Sequence, residues 1–346
     1  MTDAADDYSA PSFEPFDAPA TAVAERPQLV KYIREKPVVV TGASGLVGTR
    51  LCTQLIEGGW KVRAIVRNTA KAAQRLGHLK LEMRVADIRD PESVRASMKD
   101  AGSLVHLAAV AIEKSGDTYS AINAEATRIL LDAAKAESVE RIVYMSQNGS
   151  DSSSPFPFLR SKGIAQDLVT ASSGRWTVLR PSVIFGQNDE FVNVLARLVR
   201  LSPIVFPLPG GGTARFQPVA VSDVARAVIE VLEDDSTVRR IYSIGGSTPL
   251  TLREMTERIL TAMDASRILV GVPVGLIRPL VAAAERILPN PPVTTGLLDL
   301  LAIDNVIEQN DLQHELGITP IPFAPEELFY LRKITIRSAL GSLFNS

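Results

Sequence analysis

The segment KPVVVTGASGLVGTRLCTQLIEGGWKVRAIVRN, from Lys36 to Asn68, constrains the fold more than any other part of the chain. Val38 to Val40 form the β-branched run of a buried strand, an amphipathic helical stretch follows, and Val62 to Val66 repeat the strand pattern. Gly42, Gly45 and Gly48 stand between the first strand and the helix. Glycines at that spacing permit a tight turn, close approach of backbone to a pyrophosphate, and close packing of helix on strand. A glycine triplet alone is weak evidence, but this one opens a helix of the right length after a strand. The segment therefore reads as a β-α-β dinucleotide unit, with Gly42, Ser44, Gly45, Leu46, Val47 and Gly48 as candidate contacts.

The alternation continues. MRVADIRD places Asp87 and Ile88 after a third strand, and AGSLVHLAAVA gives a fourth running through Leu107 to Ala108 and Ala109. ERIVYMSQNGS gives a fifth strand ending at Ser146, and RWTVLRPSVIFG a sixth from Thr177. Helical patterns cover Ile122 to Ala136 and the stretch from about Phe158 to Thr170. The expected fold class is α/β, a Rossmann-type doubly wound parallel sheet with a smaller C-terminal lobe. Its ligand belongs at the carboxyl ends of the strands, where Gly42, Asp87, Ala108, Ser146 and Pro181 would gather.

Composition narrows the function. With 346 residues, 46% of them hydrophobic, and a net charge of −2, the chain can bury a large core but carries no polybasic signature, so no nucleic-acid partner is expected. Cys52 is the single cysteine, which leaves no intramolecular disulfide and no cysteine-built metal site; it reads as a small core residue. Residues 1–36 read as a flexible acidic tail, with Asp3, Asp6, Asp7, Glu14, Asp17 and Glu25 ahead of any basic residue. No secretory or mitochondrial leader pattern is present there, so the expected address is cytoplasmic. The apolar run Ile268 to Leu288 is broken by Pro273, Arg278, Pro279 and Glu285, too soon to span a bilayer.

TGASGLVG, ADIRD, HLAA and RPSVIFG together resemble the extended and atypical short-chain dehydrogenase/reductases, the superfamily of the NAD-dependent epimerase/dehydratases. FGQNDEFVNVLARLVR, PLPGGGTARFQPVAVSDVARAV and VTTGLLDLLAIDNV are most similar to the branch related to an accessory subunit of respiratory complex I, and carry the likeness to about Pro320. The resemblance implies a Rossmann domain over 37–246, with a lid or hairpin insertion around 185–218, and a lobe over 247–346. It also implies attachment to a membrane complex such as complex I, or to the inner face of the membrane. The apolar face Leu276, Ile277, Leu280, Val281, Ala284, Ile287 and Leu288 fits either core packing of the small lobe or such a surface. The basic-apolar tail from Phe329 to Phe344 is a second candidate anchor.

Charge bears on the cofactor. An acid at the end of the second strand would bind the ribose hydroxyls of NAD(H) and repel a 2′-phosphate, but Arg67 stands there, followed by Asn68 and Lys71. NADP(H) is the expected cofactor, with NAD(H) the alternative. The resemblance assigns the neighbourhood of Asp87 to the adenine; Asp87 can equally cap the helix of PESVRASM.

In catalytic members of the resembled family, a tyrosine moves the proton at the substrate oxygen, a lysine four later holds the nicotinamide ribose, and a serine or threonine orients the substrate. Lys162 matches the lysine, Phe158 falls at the tyrosine, and Asn148 lies near the hydroxyl position, with Ser146 and Ser150 as weaker stand-ins. A benzyl ring has no proton to give. The literal Tyr32-x-x-x-Lys36 precedes the first strand, and Tyr144 and Tyr119 read as packing residues. The expectation is a nucleotide that is structural or regulatory; a reductase or epimerase acting on a small carbonyl or nucleotide-sugar is the alternative, and a scaffold with a vestigial pocket the third. Further on, Ser222 or Asp223 is expected to cap one helix, and Thr251 with Glu254 to form a capping box on the next. The glycine-rich loop Pro207 to Arg215 reads as a lid or hairpin.

Overall fold

The computed structural model describes residues 34–114 and 116–344; the acidic N-terminal segment up to residue 33, with Tyr32, lies outside them. Strands β1 (Val38–Thr41), β2 (Val62–Val66), β3 (Glu82–Val85), β4 (Ser103–His106), β5 (Arg141–Met145) and β6 (Arg175–Pro181) alternate with helices. Short strands β7 (Ile184–Phe185), β8 (Val205–Pro209), β9 (Arg215–Phe216) and β10 (Val219–Ala220) leave the sheet before β11 (Arg240–Ile244) rejoins it. The seven-stranded sheet has the order β11-β6-β5-β4-β1-β2-β3 with every pair parallel. The chain runs outward from β1 through β3, then restarts at β4 on the other side, so β1 and β4 flank the crevice where such sheets bind ligands.

Both faces of the sheet are covered at its centre, which is why Val38 to Val40 of β1 are an unbroken apolar run, whereas the edge strand β3 is largely exposed. Val38 and Val40 point into one core, with Leu51 and Leu55 of α1 (Leu46–Glu57). Ala72 and Leu76 of α2 (Thr69–Leu76) join that core, while Val39 points into the other, beneath α3 (Pro91–Met98), with Val94 and Leu130. The Ile122 to Ala136 pattern begins earlier than expected, as a π-helical stretch over Tyr119–Glu125 that passes into α4 (Ala126–Ala136). α5 spans Pro157–Ala171.

A third core gathers Phe185, α6 (Val192–Leu201), Phe206, Phe216 and Leu252, Met255 and Ile259. α7 (Val221–Glu233) packs beside α1, and α8 (Leu252–Ala262) follows β12 (Leu250–Thr251). Thr251 and Glu254 form the capping box in full. Two other expected caps fail. α3 is capped by Asp90, whose carboxylate accepts from Glu92 N–H, because Pro91 fixes the first helical position one turn after Asp87. α7 begins after Ala220 with no side-chain cap; the Asp223 carboxylate, in its first turn, instead accepts from the Ile321 amide at 2.7 Å.

After β13 (Ile268–Val272), which pairs with β8, come α9 (Val274–Ile287), α10 (Thr295–Leu300), α11 (Asp311–His314) and α12 (Ile336–Phe344). α9 has no buried residue, so its apolar face is not core: Ile277, Val281 and Ala284 are half-buried, while Leu276, Leu280 and Ile287 are 68%, 73% and 77% exposed. The expected basic-apolar tail is docked, not free. Leu331 and Ala339 are fully buried, and Arg332 Nε donates to the Ala262 carbonyl. Among the described residues no helix is long and apolar enough to cross a membrane.

Candidate nucleotide site

The loop after β1 is built against the end of β4. Gly42 has φ +67°, and a Cβ there would lie 2.8 Å from the Ala108 nitrogen; one on Gly48 would meet the Gly42 carbonyl at 2.2 Å. A Cβ on Gly45 meets only the Gly42 oxygen, at 3.0 Å. Gly45 is the N-cap of α1 and supplies no side-chain acceptor, so the first-turn N–H groups of Leu46, Val47 and Gly48 remain for an anion. Arg75, which the sequence did not single out, donates from Nη1 to the Ser44 carbonyl at 2.9 Å and lines the same groove as Gly45, Leu46, Gly186 and Gln187.

Thr41 joins the two flanking strands. Its Oγ1 accepts from the Leu107 and Ala108 amides at 3.2 and 3.3 Å, and bonds His106 Nδ1 at 2.8 Å. His106 Nε2 meets Thr127 Oγ1 at 2.9 Å. Burial, then the nearby Lys162 charge, pushes the imidazole down to about 3, so it is a neutral strut. Ala109 follows at the partly exposed end of this turn.

At the end of β2, Arg67 is held by the carboxylate of Asp117 through bonds of 2.8 and 2.7 Å. Arg89 bonds the Asp87 carboxylate and the Gly116 carbonyl, which keeps the Asp87 carboxyl below the usual range. Asn68 caps α2, accepting from the Lys71 amide. Ile88 packs against the core under this corner. Asp117 lies 50 residues from Arg67 in sequence, and no local pattern joins the two.

Lys162 sits buried on α5, one turn after Phe158. Its ammonium donates to the Met145 carbonyl at 2.6 Å and lies 4.7 Å from the Tyr144 ring centroid. Burial pushes the amine down to about 7. The Phe158 ring meets the Tyr119 ring, centroids 5.9 Å apart, and the Tyr119 hydroxyl donates to the Ala111 carbonyl at 2.9 Å. Asn148 is occupied: its Nδ2 donates to Asn305 Oδ1 at 2.8 Å and to the Val306 carbonyl at 3.1 Å, tying β5 to the C-terminal lobe. Ser146 Oγ and Ser150 Oγ are buried with no protein partner. The Ser146 amide donates to Leu179 and the Asn148 amide to Pro181, which places β5 and β6 ends together. Asn123, also missed by the sequence, grips the Val110 backbone and donates to Ser161 Oγ, so the π-helical stretch sets the loop after β4 against α5. Phe158, Asn148, Ser182, Phe191 and Asn305 wall a pocket of about 320 Å³. Among the described residues no group of three His, Cys, Asp or Glu could hold a metal ion.

The glycine cradle, the uncapped α1 N-terminus and the orphaned Ser146 hydroxyl all fit a dinucleotide. The profile of a family described as NAD(P)H-binding matches residues 42–235. Subunit 9 of the NADH dehydrogenase (ubiquinone) 1 alpha subcomplex, mitochondrial, from Arabidopsis thaliana is 28% identical over 309 residues, 82% of this chain and 76% of its own length. The 2-alkyl-3-oxoalkanoate reductase of Stenotrophomonas maltophilia is 25% identical, over 82% of this chain and 94% of its own. The crystal structure of a nucleoside-diphosphate-sugar epimerase from Staphylococcus aureus superposes with a TM-score of 0.66 at 20% identity, covering 86% of this chain and all of that one, which shows the same fold. The chain belongs to the NAD(P)H-binding family, and it is similar in sequence to complex I subunits and in fold to the epimerase/dehydratases.

Proposed function

We propose that this protein holds NADP(H) as a structural or regulatory nucleotide and works as a peripheral component of a membrane respiratory complex. The observation that carries the first half is Phe158: the residue one turn before Lys162 lines the substrate-side pocket and offers no proton. Bound there, the nucleotide could supply a hydride, but a carbonyl oxygen reduced beside Phe158 would lack its acid. On this reading Gly42 to Gly48 receive the pyrophosphate, Asp87 and Ile88 flank the adenine, Leu107 to Ala109 line the adenine-side wall, and Ser146, Lys162 and Pro181 bracket the nicotinamide ribose. Arg67 with Lys71 supports the 2′-phosphate of NADP(H) over NAD(H).

Support for the second half comes from the Arabidopsis relative, whose name places it in NADH dehydrogenase, and from the exposed Leu276 and Ile287 on α9. The decisive experiment extracts and weighs the nucleotide that copurifies, then follows its absorbance with reactive carbonyls. Stoichiometric NADP(H) without turnover is expected; turnover at ordinary enzymatic rates would overturn the structural role. One observation favours a second reading, a reductase: the Tyr119 hydroxyl sits on Ala111, which lines the Phe158 pocket, so a phenol is close to the vacant acid position.

A further inference from the structure

We propose a second ligand site, for a single unbranched aliphatic chain, in the apolar cavity between α6, β8 and the α9–α10 hairpin. The placement of that ligand's polar head rests on the nucleotide-site reading; the chain site itself does not.

The cavity measures about 250 Å³, and its walls come from Leu195, Leu198, Phe206, Val281, Ala284 and Leu297 with their neighbours. Two polar residues reach it. Ser202 spends its hydroxyl on the Leu198 carbonyl at 2.9 Å, and Glu190 is exposed at the mouth. Apolar walls leave water without hydrogen-bond partners, so moving an apolar molecule from solvent into such a space is favoured. Close-packed interiors rarely keep such a volume without use. It is too small for a partner helix, which is roughly 10–12 Å across with its side chains, and it suits one alkyl chain.

The cavity is not isolated. Glu190, Phe191, Leu297 and Leu301 wall both it and the pocket that holds Phe158. The two spaces differ in chemistry: Gln147, Asn148, Asp304 and Asn305 line the Phe158 side, whereas Ser202 and the shared Glu190 are the polar residues of the other. A molecule lying across Phe191 would put a polar head beside the nucleotide site and an aliphatic tail under α9. The cover is suited to entry. α9 buries no residue, carries Pro279 inside the helix, and is fastened to α10 by the Arg278–Asp299 ion pair at 2.7 Å.

Calorimetry of the full chain with octanoate, decanoate and dodecanoate tests this. One saturable site is expected, tightening about fourfold per added methylene (about 0.8 kcal/mol each). Ala284→Phe should weaken dodecanoate at least tenfold and leave the thermal midpoint and NADPH affinity unchanged; Val281→Trp serves the same purpose should the first variant misfold. Leu276→Asp, on a residue outside the cavity lining, should change nothing. Affinity indifferent to chain length, indifference to both filling variants, or loss on Leu276→Asp would each overturn the proposal. Chain-length dependence without NADPH binding would sink the nucleotide reading and keep the tail site; the converse would do the opposite.

Discussion

Arg67 and Asp117 meet fork to fork, two parallel hydrogen bonds joining the end of β2 to the loop before the π-helical stretch. The cation proposed to receive a 2′-phosphate is therefore already satisfied by a carboxylate. A phosphate must displace Asp117 or share Arg67 with it, and Asp117 repels the newcomer. Asp117→Asn should tighten NADPH roughly tenfold and leave NADH nearly unchanged. Arg67→Asp should reverse the preference. Titration calorimetry with both nucleotides decides the matter, and equal affinities in the wild type would remove the NADP(H) preference.

Restoring the phenol tests the vacant acid. A general acid is worth roughly 100 to 10,000-fold, so Phe158→Tyr should raise NADPH oxidation with a reactive aldehyde by a factor in that range. Tyr119→Phe should leave the trace wild-type rate untouched. Abolition of that rate by Tyr119→Phe would instead make Tyr119 the acid of a working reductase.

Lys162 gives a pH dependence with a definite sign. Its amine titrates at about 7 in the folded chain against an ordinary 10.5, so between those values the unfolded chain binds more protons and stability rises with pH. Below about 7 the folded protein keeps a buried ammonium and bears its full cost. Lys162→Met should therefore raise the melting temperature most at pH 6, with the gain shrinking towards pH 10. An anionic nucleotide should draw the proton back, so binding at pH 8 should take up protons in the wild type and not in Lys162→Met. Calorimetry in two buffers of different ionisation enthalpy reads that uptake directly.

Membrane attachment is testable by point substitution. Removing the C-terminal segment would strip Leu331 and Ala339 from the interior, whereas Leu276→Asp with Ile287→Asp touches only exposed side chains. At about 25 cal/mol per Å² of apolar surface, losing both should reduce the membrane-bound fraction roughly tenfold or more in fractionated cells. A wild-type protein recovered wholly in the supernatant would end the proposal of a membrane partner.

Asp189 offers a stability test. Its buried carboxylate accepts from the amides of Phe191 and Asn193 at 2.8 and 3.1 Å, and from Asn193 Nδ2 at 2.7 Å. Asp189→Ala leaves these donors without their acceptor and should cost about 2 kcal/mol or more in urea unfolding.

The parts of the fold visible in the sequence are those set by local pattern. The β-branched runs, the glycine spacing and the Thr251–Glu254 box each depend on neighbours within a few residues, and each forms as read. Contacts between distant segments were not visible. Asn148 meets Asn305 across 157 residues, Arg67 meets Asp117, and Leu312, Leu316 and Ile318 return to the first core, none with a periodicity to announce it. Asp223 misled because an acid in the first turn of a helix normally serves that helix, while here the irregular segment around Ile321 passes close enough to claim it.

The absence of any buried residue on α9 also has a kinetic consequence. A helix with no fully buried side chain, interrupted by Pro279, opens without disturbing the sheet, at a free-energy cost well below that of global unfolding. Amides over 274–287 should exchange with deuterium orders of magnitude faster than those of β1 and β4, and the exchange should follow the frequency of α9 excursions, not denaturation of the protein. Traffic in and out of the space beneath it would then run at the pace of that breathing, and any partner that clamps α9 would set the residence time of whatever lies below.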